Sequence, residues 1–211
     1  MGTPEFAVPS LELLVEKAWP IIGVVTQPDR PKGRGQRLVA SPVKEAAGRH
    51  GLIVLQPEKV RAPAFLEIFS GLAPDMVVLV AFGQILPKEM IDGPPLGCVN
   101  VHPSLLPRYR GAAPMNWALI RGEEKTGVTI MRMDEGVDSG DILLQEETPI
   151  EPGETYDHLH DRLAVLGAQC LLRTIEGLAA GTVRPVPQDH SLATFAPVSY
   201  THLTLPTIYA V

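Results

Sequence analysis

Met76-Val77-Val78-Leu79-Val80-Ala81 is an unbroken apolar run with no polar residue on alternate positions. A strand with one wet face alternates apolar and polar side chains, so this run predicts burial on both faces, as in a parallel sheet covered by helices. Working outward, residues 21–25 and 52–55 upstream and 97–101 and 128–133 downstream also read as strands. Helix signals lie between them. Ser41-Pro42 pairs an N-cap with proline at the first helical position, and Gly51 stands where a C-terminal cap belongs. Residues 57–72 and 114–121 are further helix candidates. The longest begins near Thr155 and presents Leu159, Leu163, Leu166, Cys170 and Leu171 at three- and four-residue spacing before Gly177 and Gly181. This βαβα rhythm predicts an α/β fold with a doubly wound, mostly parallel sheet, whose ligands bind beyond the carboxyl ends of the strands.

The ends read differently. Thr3 and Pro4 look like an N-cap and first helical residue, yet no strand precedes them, so a first strand is expected to be missing. Residues 198–211 carry no charge and no helical or strand period, and are expected to be disordered or foreign to the fold. The expected division is a catalytic domain over 1–182, the start of a linker over 183–197, and the tail.

At 211 residues, 45% hydrophobic and 20% charged, the chain excludes collagen-like, coiled-coil and wholly disordered classes. The longest apolar run ends at Phe82 and is far short of the roughly 20 residues of a membrane helix, so no membrane partner is expected. Acidic residues precede Lys17, the first base, which is unlike a secretory leader. Cys98 and Cys170 are isolated, giving neither a disulfide framework nor a cysteine metal site and favouring a reducing cytoplasm. The net charge of −6 opposes a nucleic-acid partner on average, but the average conceals two runs. Residues 30–44 hold Arg30, Lys32, Arg34, Arg37 and Lys44 with no acid. Pro31, Gly33 and Gly35 break regular structure there, predicting a mobile cationic loop able to reach phosphates. Residues 134–161 hold ten acids and no Lys or Arg, and read as a solvated face.

Gly33-Arg34-Gly35 lacks the third glycine of a dinucleotide fingerprint, and no Walker, G-x-S-x-G or H-E-x-x-H pattern occurs. What remains is Asn100-Val101-His102-Pro103-Ser104-Leu105-Leu106-Pro107-Arg108-Tyr109-Arg110-Gly111. Asn100 and His102, two apart at a strand end, project from one face. An amide donor and an imidazole suit attack on a carbonyl: the first can bind a developing oxyanion, the second can carry a proton. No nucleophile is placed for a covalent intermediate, so direct transfer is favoured. Asp138, in a glycine-flanked turn between two strands, is the candidate to orient the histidine. A bare N-x-H is also compatible with ordinary polar pairing, and no second ligand stands at metal spacing beside His102, so no metal is expected.

Asn100-x-His102-Pro103-Ser104-Leu105-Leu106-Pro107 with Asp138-x-Gly140 downstream resembles the signature of the folate-dependent formyltransferases. Residues 2–12, 25–31 with the following Gly-Arg-Gly, 41–44 and 108–114 resemble the branch of that family that acts on methionyl initiator tRNA, over residues 1 to about 197. The resemblance implies a Rossmann-like formyltransferase fold, 10-formyltetrahydrofolate as formyl donor and the methionine α-amino group as acceptor. It implies Asn100, His102 and Asp138 as catalytic residues, Ser104, Leu105, Leu106 and Pro107 against the folate, and Arg30, Lys32, Arg34 and Arg37 against the tRNA acceptor end. Such enzymes carry a first strand and a C-terminal OB-like domain that this sequence lacks, and a monomer is implied at full length. A sister enzyme using a sugar amine, or a non-catalytic folate- or RNA-binding remnant, remains the alternative.

Overall fold

The computed structural model of the chain describes residues 1–32 and 37–198. In chain order its strands are β1 (Val24–Val25), β2 (Arg30–Lys32), β3 (Arg37–Val39), β4 (Val54–Leu55), β5 (Val77–Leu79), β6 (Cys98–His102), β7 (Lys125–Arg132) and β8 (Ile142–Pro149). The helices are α1 (Val8–Glu16), α2 (Pro42–Arg49), α3 (Pro63–Leu72), α4 (Lys88–Asp92), α5 (Pro114–Ile120) and α6 (Tyr156–Ala179). β1 pairs with β4 and β5 with β6 in parallel, whereas β6–β7 and β7–β8 are antiparallel. The sheet is thus mixed, which corrects the expected mostly parallel one. A short turn is all that separates β7 from β8, too little chain for the crossover a parallel pair needs.

Met1 and Gly2 lie between β1 and β5 and join the two parts of the sheet. The Gly2 N–H donates to the Val25 carbonyl at 3.0 Å, the Val80 N–H donates to the Met1 carbonyl at 2.9 Å, and the Met1 amine donates to the Val78 carbonyl at 2.6 Å. These two residues occupy the place where a first strand was expected to be absent. Thr3 does not cap a helix as predicted. Its hydroxyl donates to the Phe82 carbonyl at 3.1 Å, and a 3-10 turn, Glu5–Ala7, leads from Pro4 into α1.

Two apolar clusters cover the sheet. One gathers Val99, Val101, Val128 and Ile130 with Leu159, Leu163 and Leu171 of α6 and with α1 and α2 residues, and the other gathers Val25, Val77, Leu79 and Cys98 with Phe65 of α3 and Met90 of α4. β6 is buried throughout, its Val99 and Val101 facing α6 while Cys98, Asn100 and His102 alternate to the opposite face. The capping chemistry matches the sequence. The Ser41 hydroxyl accepts the Lys44 N–H at 3.1 Å, Gly51 takes φ +64° just beyond α2, and Thr155 accepts the His158 N–H at 3.4 Å at the head of α6.

Part of the basic segment is ordered as a hairpin, correcting the mobile loop: Arg30 pairs with Val39 and Lys32 with Arg37, antiparallel. The tip, including Gly33, Arg34 and Gly35, lies outside the described residues. Lys44 is not a free cation, because its Nζ reaches Asp29 at 2.7 Å. The segment after α6 returns to the sheet. Val186 exchanges two backbone hydrogen bonds with Ile142, at 2.8 and 2.9 Å, and Thr194 and Ala196 bond the Arg110 backbone at 2.8 and 2.7 Å. The tail residues 199–211 lie outside the described residues. Among the described residues no helix is long and apolar enough to cross a membrane.

Candidate active site

His102 ends β6 at its carboxyl edge and is only 4% exposed. Its Nε2 lies 2.9 Å from the Tyr109 carbonyl, and its Nδ1 lies 3.6 Å from Asp138 Oδ2. The second distance is longer than a hydrogen bond. The ring is thus set between the Tyr109 carbonyl on one side and the Asp138 carboxylate on the other.

Asp138 reaches this point from the β7–β8 turn. Its backbone is left-handed, φ +47°, a conformation unusual for a residue with a side chain, and its Oδ2 accepts the Gly111 N–H at 2.8 Å. Gly111 needs its freedom: φ is +109°, and an added Cβ would stand 3.1 Å from the Ala196 carbonyl oxygen. The turn is fixed in the same way at Gly140, where a Cβ would fall 1.9 Å from the Arg132 carbonyl oxygen.

Asn100 stands two residues before His102 on the same face of β6 and is buried, 8% exposed. Among the described residues its side-chain amide has no hydrogen-bond partner, so it is the donor at the sheet rim that remains free for another molecule. Ser104 is spent internally. Its hydroxyl donates to the Arg108 carbonyl at 2.7 Å and the residue is 1% exposed. Leu106 is buried and precedes a cis peptide bond to Pro107, while Leu105 and Pro107 are partly exposed. Arg30 donates to the Gln27 side chain at 3.2 Å, on the hairpin.

Several residues that shape the site were not singled out from the sequence. Thr129, opposite His102 in the β6–β7 ladder, donates to the Ser104 carbonyl at 2.7 Å and accepts from the Leu106 N–H at 3.2 Å and Gln145 Nε2 at 2.8 Å. A threonine between Val128 and Ile130 in a buried strand was the available signal. Tyr109 supplies the carbonyl to His102 and is itself held by its hydroxyl on Glu123, with the Arg108 and Arg121 guanidiniums over its ring at 5.3 and 5.2 Å. Burial first, then the Glu123 carboxylate, pushes the Tyr109 phenol above its ordinary range. Among the described residues no three His, Cys, Asp or Glu side chains converge as a metal site. A cavity of about 600 Å³ opens at the amino ends of β1 and β5, lined by apolar residues such as Leu14, Ile21, Val24, Leu72 and Val78, and away from Asn100 and His102.

Residues 1–175 match the formyl transferase family. The chain is 64% identical over 198 residues to the methionyl-tRNA formyltransferase of Syntrophus aciditrophicus, covering 94% of this chain and 64% of that protein. It is 58% identical over the same length to that of Pelobacter propionicus, covering 94% and 62%. It therefore spans somewhat less than two thirds of these relatives. Among solved structures, glycinamide ribonucleotide transformylase 1 from Symbiobacterium toebii superposes with a TM-score of 0.71 at 24% identity, over 88% of this chain and 90% of that one. The sugar 3N-formyl transferase WlaRD gives 0.69 at 19%, over 93% and 67%. The last two likenesses speak for the fold alone. With an amide, an imidazole and a carboxylate gathered at the rim of the same fold, and with the family match spanning most of its length, the chain belongs to the formyl transferase family.

Proposed function

We propose that this chain is the catalytic part of an enzyme that moves a formyl group from 10-formyltetrahydrofolate to the α-amino group of methionyl initiator tRNA. The observation that carries the reading is the Asn100 amide, without a hydrogen-bond partner among the described residues, two positions before a His102 ring held between the Tyr109 carbonyl and Asp138. The relatives above, which bear the name of that activity, support the choice of acceptor.

In the proposed reaction the amine lone pair attacks the formyl carbon and a C–N bond forms. The carbonyl oxygen becomes an oxyanion, which the Asn100 N–H binds. One preorganised donor of this kind is worth about 2.7–4 kcal/mol. His102 acts as a neighbouring positive charge, since its Nε2 donor is committed to Tyr109. Asp138 fixes the ring and accepts, directly or through water, the proton that the attacking amine sheds. Collapse breaks the bond from carbon to folate N10, which takes up a proton. Leu105 and Pro107, with some surface open beside the pair, are the members of residues 104–107 suited to touch the folate, and Ser104 and Leu106 build the loop from inside. The arm carrying Arg30, Lys32, Arg34 and Arg37 suits phosphate contacts on the tRNA.

The test is formyl transfer measured with charged initiator tRNA and, separately, with an amino sugar nucleotide. Asn100→Ala is expected to lower kcat about 10²–10³-fold, His102→Ala and Asp138→Ala about 10²–10⁴-fold, with folate binding retained. Full turnover in any of the three removes that residue from the mechanism, and preference for the sugar amine replaces the acceptor.

A further inference from the structure

Gln188 lies beyond residues 1–175, the part matched by the family, and far in sequence from the His102 pair. It is nevertheless 6% exposed and uses its whole amide. Nε2 donates to the Asp138 carbonyl at 3.0 Å and to the Gly140 carbonyl at 2.7 Å. Oε1 accepts from Arg110 Nε at 3.2 Å and from a terminal Arg110 nitrogen at 2.6 Å. One side chain thus ties the turn that carries Asp138 to the loop that carries Tyr109 and Gly111.

The consequence is geometric. Asp138 sits in left-handed backbone, and such a conformation persists when its surroundings over-determine it. The Asp138 carboxylate is held at one end by the Gly111 N–H and its own carbonyl at the other by Gln188. Arg110 is 5% exposed, and among the described residues no carboxylate pairs with it, so the Gln188 oxygen and His190 Nδ1, at 3.0 Å, are what solvate a buried guanidinium. Resting on the functional reading above, we propose that Gln188 is a positioning residue for the formyl transfer, setting the distance between Asp138 and His102 from a segment beyond residues 1–175.

Two substitutions separate the halves of the clamp. Q188M keeps the length and removes every polar contact, whereas Q188E keeps an acceptor for Arg110 and removes both donors to the Asp138 turn. Both are expected to lower kcat about 10–100-fold, the scale of a misplacement near 1 Å, while KM for the formyl donor moves less than about 3-fold. A protein weakened only in its packing would instead be rescued by Q188E, because that variant retains the Arg110 partner. Parent-like kcat in Q188E, at an unchanged melting temperature, overturns the proposal. Should the parent chain transfer no formyl group, the functional reading fails and amide exchange at Gly111 decides this one. Exchange is expected to accelerate about 10-fold or more in both variants as Asp138 Oδ2 withdraws, and unchanged protection overturns the clamp.

Discussion

Replacing Thr129 by Val tests whether one buried hydroxyl holds the loop after β6. The hydroxyl has one donor and two acceptor positions, and all three are used, on the Ser104 carbonyl, the Leu106 N–H and Gln145. Valine has the same shape, so no cavity opens and the loss is purely polar. Gln145 retains the Leu106 carbonyl at 3.0 Å. The Ser104 carbonyl and the Leu106 N–H are left beside a methyl group in a site of zero exposure at Thr129. At about 1–3 kcal/mol for each stranded group, and some relaxation of the loop, the cost is roughly 3 kcal/mol. For a chain of this size that is a fall of roughly 6–12 °C in melting temperature, read by circular dichroism. Thr129→Ser keeps the hydroxyl and is expected to cost only about 1 kcal/mol for its missing methyl. Folate affinity should fall with Thr129→Val, because residues 104–107 lose their anchor. A Thr129→Val protein melting within 2 °C of the parent, or a serine variant less stable than the valine one, would refute this account of the loop.

Three further outcomes are expected. Gly140→Ala should loosen Asp138 and cost more than about 2 kcal/mol, because the added carbon meets backbone rather than a movable side chain; parent-like stability and turnover would contradict it. In a preparation with a free Met1 amine, burial lowers that group from 8.0 to about 6. The unfolded chain then binds more protons between those values, so stability should rise from pH 6 to pH 8 by about 2–3 kcal/mol, and denaturant titrations should show this increment vanish on acetylation. Arg34→Ala is expected to weaken tRNA use with folate binding intact, and equal kcat/KM for tRNA would remove the arm from recognition.

Strands that are buried on both faces were legible because Val, Ile and Leu runs report burial directly; β5 falls inside the stretch read for it, and β6 overlaps its stretch and runs one residue further, to His102. Strand direction was not. A hydrophobic run records how many faces are covered, while parallel or antiparallel pairing is set by the connections, so the β7–β8 reversal escaped. The strand expected after the Asp138 turn was given no bounds, because Glu146 and Glu147 of β8 mask the alternation of a half-buried strand; Glu147 in fact pairs with Lys125 at 2.7 Å and Glu146 with Arg173. At the site, Asn100, His102 and Asp138 could be picked from residue type and spacing, and the last two do meet. The Tyr109 carbonyl and the Gln188 amide could not, since the first is a backbone group and the second arrives from another part of the chain.

Gly2 stitches two sheets with a residue that has no side chain. A carbon added there would stand 2.7 Å from the Ala7 Cβ and 2.8 Å from the Val80 oxygen, so every other amino acid is too large for the seam. Any side chain placed there has to push the β1 edge away from β5, and the backbone hydrogen bonds that Met1 and Gly2 make on both sides would lengthen together.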